Sequence, residues 1–364
     1  MLERWGKLVR QESVGVVTDV LRGLLFLASQ LYRLAMSARN YLYDRGWLKV
    51  HRVGIPVISV GNLTVGGTGK SPTVALLAKW FRDRNIRVAI ISRGYGAGRD
   101  GINDEAKEIE KRLPDVPHLQ NPNRYAAAIV AEEELGMQVL IMDDGFQHRR
   151  LFRDLEILLL DATQPFGLGY MLPRGMLRES IRSLRRADVV VLTRSDLVTR
   201  QQIADTRLTV QRYAPRATWV EANHQVNALV NSSGTDASGT DASGTDKPKE
   251  SLAGRKVLAF CGIGNPEAFF ETVRQCGAEI VDSIAFPDHH AYSSGDIARI
   301  LAKCQTRPDF FLCTGKDLAK LDVDQIGEVP LWALQIELRC SVGADALDDQ
   351  LRRVVDKITL DSTD

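Results

Sequence analysis

The stretch Val57-Ile-Ser-Val-Gly-Asn-Leu-Thr-Val-Gly-Gly-Thr-Gly-Lys-Ser-Pro72 limits the possible folds more than any other part of the chain. An apolar β-branched run enters a glycine-rich turn ending in Gly69-Lys70-Ser71, and Ala75-Leu-Leu-Ala-Lys-Trp80 reads as an opening helix. A strand, a flexible loop and a helix N-terminus in that order make a phosphate cradle. Thr64, Val65, Gly66, Gly67, Thr68 and Gly69 supply the loop, Lys70 reaches the outer phosphate oxygens, and the Ser71 hydroxyl is a candidate Mg²⁺ ligand. The usual spacing puts another glycine at position 64, where this chain has threonine. The pattern predicts a nucleoside triphosphate site.

Beyond the loop, residues 88–92, 139–142, 155–160 and 189–193 form apolar runs without alternation. Such runs predict parallel strands covered by helices on both faces, and hence a doubly wound α/β domain around the loop. Asp143 and Asp144 end one of these runs, where an acid beside a phosphate loop serves as a Mg²⁺ ligand. Asp104 and Glu105 follow another strand in a loop, and spacing alone leaves them either solvated or catalytic. Phe286-Pro-Asp-His-His290 sets a histidine beside an acid, either to tune a carboxylate or as a surface pair. Arg174, Arg178, Arg182, Arg185 and Arg186 cluster downstream of Arg149 and Arg150, fit for phosphate recognition or for a solvated charged face.

With 47 basic and 46 acidic residues, the net charge of +1 gives no global field for nucleic acid. The five cysteines, all in the last third and without a C-x-x-C pair, fit buried thiols of a reduced protein better than disulfides or zinc. At the N-terminus, Val17, Val20, Leu21, Leu24, Leu25, Ala28, Leu31, Tyr32 and Ala35 recur at helical spacing. Charged interruptions make the run too short to span a bilayer. Nine Arg or Lys against four acids up to residue 53, interleaved with Trp and Tyr, predict an amphipathic membrane-surface helix over about 15–45. A helix packed on its own domain is the competing reading. Three copies of a Ser-Gly-Thr-Asp unit between Ser233 and Lys247 carry no apolar residue larger than alanine, so 232–250 reads as a solvated insertion. The expected organisation is a phosphate-loop domain over 1–226 and a smaller α/β domain over 227–364. Strand candidates in the latter are 257–260, 279–281, 310–313 and 331–336. Its Gly262-Ile-Gly-Asn-Pro266 turn lacks the spacing of a second nucleotide site.

Several motifs together resemble one family: Gly46-Trp-Leu-Lys-Val-His51, the loop from Gly61 to Pro72, Ser92-Arg-Gly-Tyr-Gly96 and Asp143-Asp-Gly-Phe-Gln-His148. Leu172-Pro-Arg-Gly-Met-Leu-Arg-Glu179, Phe286-Pro-Asp-His-His290 and Thr314-Gly-Lys-Asp317 belong to the same set. The chain resembles the tetraacyldisaccharide 4'-kinases, the lipid A kinases of Gram-negative bacteria, from about residue 15 to 340. Asn103-Asp-Glu-Ala106 departs from the family's Gly-Asp-Glu-Pro, and Ser71 stands where members often have threonine. The resemblance implies transfer of the ATP γ-phosphate to the 4'-hydroxyl of an acylated glucosamine disaccharide 1-phosphate. It implies Asp104 as base with His289 as its partner, alongside Lys70. It adds Glu179 to Ser71 and Asp143 as Mg²⁺ ligands, and Glu105, Arg124, Asp144, His148 and Arg178 as substrate or phosphate contacts. A lipid acceptor implies work at the cytoplasmic face of the inner membrane, held peripherally, with no nucleic-acid partner. A dimeric regulatory ATPase of the partitioning type is the alternative, but its extra loop lysine is replaced here by Val65.

Overall fold

The computed structural model describes residues 16–94, 109–232, 252–287, 290–304 and 307–361. Asp104, Glu105, His289 and the repeat from Ser233 onward lie outside the described residues. The chain divides into two units, one from Met1–Arg93, Val116–Asn223 and Arg339–Asp364, the other from Gly94–Asp115 and His224–Leu338.

In the first unit, helix α1 (Val16–Asp44) precedes β1 (Val57–Asn62), which feeds the glycine loop and then α2 (Lys70–Arg82). There follow β2 (Val88–Ser92), β3 (His118–Gln120), α3 (Arg124–Ile129), β4 (Val139–Asp143), β5 (Leu155–Asp161), β6 (Val189–Thr193), α4 (Arg200–Tyr213) and β7 (Thr218–Val230). The strands lie in the order β3-β2-β4-β1-β5-β6-β7, and every neighbouring pair is parallel. Every residue of β1, β2, β4 and β6 is buried, which explains why their sequences do not alternate. The order reverses around β1, so the crevice at the carboxyl ends of β1 and β4 is where a sheet of this type places its ligand.

The two faces of α1 differ. Val17, Val20, Leu24, Leu27, Leu31 and Leu34 form a stripe that is 58–83% exposed. On the other side Ser29 and Tyr43 are buried, and Tyr32 and Met36 pack against a core containing Leu63, Phe146, Leu177 and Leu184. The helix therefore packs on its own unit and still presents an apolar outer face. Among the described residues no helix is long and apolar enough to cross a membrane.

The second unit contains β8 (Lys256–Cys261), α5 (Pro266–Gln275), β9 (Glu279–Ala285), α6 (Ser294–Ala302), β10 (Phe310–Thr314), α7 (Gly315–Leu321), β11 (Gln325–Ile326) and β12 (Val329–Val342). Strands β12, β10, β8 and β9 are parallel neighbours in that order, and β11 is an antiparallel appendage of β12. The dividing points at 223/224 and 338/339 fall inside β7, which the apolar runs of the sequence do not mark, and β12, which is longer than its run at 331–336. The final helix, α8 (Ala344–Asp361), returns to the first unit. There Asp348 accepts from Trp80 Nε1 at 2.6 Å, Gln350 donates to Thr218 at 3.1 Å, and Lys357 pairs with Asp154 at 2.9 Å. These partners are more than a hundred residues away in sequence, so a division read from composition at 226/227 does not register them.

Candidate active site

The glycine loop is shaped by two left-handed positions, Gly66 (φ 118°) and Gly69 (φ 87°), where a side chain would be strained. Thr64 is not one of them. It is buried and bridges Leu177, while the Val65 N–H donates to the Met176 carbonyl at 2.8 Å. The extended backbone there explains why this chain needs no glycine at 64. Asn62 Nδ2 donates to Thr68 Oγ1 at 2.9 Å, and Thr193 Oγ1, at the tip of β6, donates to the Thr68 carbonyl at 3.1 Å. Gly69 is the N-cap of α2, and no side chain caps that helix. Its first N–H groups thus face the loop without a carboxylate or hydroxyl of the helix's own, the arrangement that receives an anion.

Asp143 is buried at the tip of β4, opposite Val60 of β1. Asp144 follows in the left-handed region (φ 50°), its N–H donating to Asp143 Oδ1 at 2.9 Å. Asp144 draws two cations together. Arg178 Nη1 lies 2.9 Å from each of its oxygens, and Lys70 Nζ is 3.5 Å from Oδ1. Partial burial disfavours the charged carboxylate, but Lys70 and Arg178 outweigh it and hold the carboxyl below its ordinary range. Arg124 is buried beside the same acids; burial pushes its guanidinium down, against the pull of Asp144. His148 sits among Arg124, Arg153, Arg150 and Arg39, and burial with these charges brings its pKa down to about 4. Its imidazole is neutral at physiological pH.

The structure thus brings Lys70, Asp144, Arg178, Arg124 and His148 to the same crevice. Glu179 is more enclosed. Its Oε2 accepts from Asn40 Nδ2 and Ser183 Oγ, each at 2.8 Å, and pairs with Arg186 Nη2 at 3.0 Å. Its Oε1 is buried with no hydrogen-bond partner among the described residues. Among the described residues, no group of three or more His, Cys, Asp or Glu side chains could by itself hold a metal ion. A hydroxyl such as Ser71 and a carboxylate such as Asp143 match the sparse protein share of a Mg²⁺ site completed by phosphates and water.

Three residues here make contacts that the motifs do not assign. Gln147 Nε2 donates to the Asn62 carbonyl at 2.9 Å, tying the turn after β4 to the loop. Its neighbours in Asp143-Asp-Gly-Phe-Gln-His148 were the signal that could have found it. Asn62 heads the glycine loop, and its polarity at the end of an apolar strand was a second signal. Asn40, which donates to Glu179 from α1, carries no signal, because the two are 139 residues apart.

Comparison with known proteins agrees with this geometry. Residues 21–356 match the family of tetraacyldisaccharide-1-P 4'-kinases. A tetraacyldisaccharide 4'-kinase of Anaeromyxobacter dehalogenans (strain 2CP-C) is 37% identical over 346 residues, covering 90% of this chain and 89% of the relative. One from Syntrophus aciditrophicus (strain SB) is 39% identical over 344 residues, covering 87% and 88%. The crystal structure of LpxK from Aquifex aeolicus in complex with ATP superposes with a TM-score of 0.71 at 31% identity, covering 92% of this chain and 99% of that one. A match that runs through both units favours this reading over the partitioning-ATPase alternative, and the chain belongs to the tetraacyldisaccharide-1-P 4'-kinase family.

Proposed function

We propose that the chain transfers the γ-phosphate of ATP to the 4'-hydroxyl of a tetraacyl glucosamine disaccharide 1-phosphate at a membrane surface. The observation that carries this reading is the convergence of Lys70 and Arg178 on Asp144, beside an uncapped helix N-terminus at the tips of β1 and β4. Incoming phosphate competes with Asp144 for both cations, so Lys70 and Arg178 exchange a carboxylate for phosphate oxygens without new charges having to be brought in. Backbone N–H groups of Gly66, Gly67, Thr68 and Gly69 orient the phosphates, and the buried Arg124 holds a further positive charge on the same crevice. Ser71, Asp143 and the buried, unpartnered Oε1 of Glu179 would hold Mg²⁺, which would supply neutralisation of charge on the transferring phosphoryl group. Asp104 takes the proton of the sugar hydroxyl, and His289 orients that carboxylate. Glu105, His148 and Asp144 complete the polar lining.

The exposed apolar stripe of α1 supports a peripheral seat on the cytoplasmic face of the inner membrane, where such an acceptor lies. Replacing Leu24 and Leu31 together by glutamate should release the protein from anionic vesicles in a sedimentation assay, with the melting temperature unchanged. Continued sedimentation would place the membrane contact elsewhere.

ADP release by the purified protein, measured with and without the lipid acceptor in micelles, tests the reaction. Release that depends on acceptor, matched by phosphorylated lipid, is the expected result. ADP formed at the same rate without acceptor would contradict a kinase reading.

A further inference from the structure

The turn from Asp143 to His148 is held on its far side by two buried ion pairs, and the proposed chemistry uses neither of their arginines. Arg153 is paired with Glu156, which is 3% exposed, and Arg186 with Glu179. Arg153 Nη1 donates to the carbonyls of His148 (2.9 Å) and Leu151 (3.3 Å), and its Nη2 donates to that of Phe146 (3.2 Å). Arg186 Nη2 reaches the same Phe146 carbonyl at 3.2 Å, and its guanidinium lies 4.2 Å from the centre of the Phe146 ring. Phe146 in turn presses on β1, so closely that a Cβ on Gly61 would fall 2.6 Å from its backbone nitrogen. The Gly145 N–H donates to the Val60 carbonyl at 3.0 Å. One side of the turn thus presents Asp144 to Lys70, and its carbonyls are gathered on the other side.

We infer that Arg153 is a positioning residue for the nucleotide site: by gathering the carbonyls of Phe146, His148 and Leu151 it sets where the Asp143–Asp144 pair stands relative to the glycine loop. The chemistry requires arginine. Its rigid fork meets Glu156 and three carbonyls at once, which the single ammonium of lysine does not reproduce. Glu156 fixes the fork; burial pushes its carboxyl up, and Arg153 draws it back. The inference rests on the reading of the Asp143–Asp144 turn as the metal-facing and phosphate-facing part of the site.

The test uses the full chain with ATP and micellar acceptor, and reads the Mg²⁺ concentration for half-maximal activity, KM for ATP, and melting temperature. Arg153→Met alone would leave Glu156 buried without its partner, a loss that unfolds proteins. The double variant R153M/E156Q removes that charge, and Arg153→Lys keeps it paired. Both should raise the half-maximal Mg²⁺ concentration by about tenfold or more, the usual cost of losing support behind a metal ligand. KM for the lipid acceptor should stay unchanged. If a folded variant of either kind keeps Mg²⁺ dependence and ATP KM within about twofold of the parent, Arg153 is structural only and the inference fails. Asp143→Asn is measured alongside. A shift there without one in the Arg153 variants sinks only the positioning role. No shift in Asp143→Asn overturns the reading of the turn, and this inference with it.

Discussion

Both units send an apolar parallel strand into a glycine turn and a helix, with a carboxylate nearby, but they dispose of the helix N-terminus in opposite ways. In the first unit α2 begins at Gly69 with no side-chain cap, and Asp144 is engaged by the side chains of Lys70 and Arg178. In the second, Asn265 caps α5 by accepting from the Ala268 N–H, and Thr314 caps α7. Asp317 there is fully buried, accepting from the Gly262 N–H at 3.1 and 3.2 Å and from Thr314 Oγ1 at 2.6 Å. A turn that satisfies its own donors is a closed joint. One that leaves them open, with cations on movable side chains, can take phosphate. The same local plan therefore yields a ligand site or a structural knot according to where the capping groups come from.

The strongest way to break this contrast is to remove the open site's charges. Lys70→Ala and Asp143→Ala should each lower kcat on the order of a hundredfold or more, with folding intact by circular dichroism. Near-normal turnover in either would move the nucleotide elsewhere. Asp104→Ala, His289→Ala and the double variant should each lose about a hundredfold or more in kcat while ATP affinity holds. Since a base and its orienting partner act as a unit, the double loss should resemble the single ones. Multiplying losses would separate the two residues, and an effect confined to His290 would reassign the histidine.

Smaller effects sharpen the other side of the contrast. Asp317→Asn should destabilise the protein by about 1–3 kcal/mol in urea unfolding, because the buried acceptor of the Gly262 N–H and the Thr314 hydroxyl is weakened, and should leave ATP KM alone. A changed KM would mean that the closed joint is not closed. His148 titrates near 6.5 when unperturbed and at about 4 in the folded chain. Between those values the unfolded chain binds a proton that the folded chain does not. Stability should therefore be full above about pH 6.5 and fall as pH drops toward 4. His148→Gln should flatten that part of a plot of melting temperature against pH. An unaltered slope would show that His148 is not held neutral.

Strands β1, β2, β4, β5 and β6 were legible because burial on both faces writes itself as unbroken apolar runs, whereas the half-buried β3 and much of β7 carry no such run. The loop was legible because its chemistry demands glycine at fixed places. Helix α1 was legible as helix, but periodicity alone left open whether its apolar residues meet the protein or the membrane. They divide: Tyr32 and Met36 face the core, and Leu24 and Leu31 stay outside. Local sequence carried no trace of the support behind the site. Asn40 meets Glu179 across 139 residues, and Arg186 reaches the Phe146 carbonyl across 40. Arginines in such a cluster look like a solvated face until their partners are seen to be buried. The departure at Thr64 looked like a defect in the motif and proves to be a β-bridge to Leu177.

Equilibrium binding of a non-hydrolysable ATP analogue with Mg²⁺, followed by calorimetry on the parent chain, Lys70→Ala and Asp317→Asn, tests the contrast most directly. The account predicts a single nucleotide per chain, affinity weakened by about tenfold or more in Lys70→Ala, and parental affinity in Asp317→Asn. Two nucleotides per chain, or a loss in Asp317→Asn equal to that in Lys70→Ala, would contradict it.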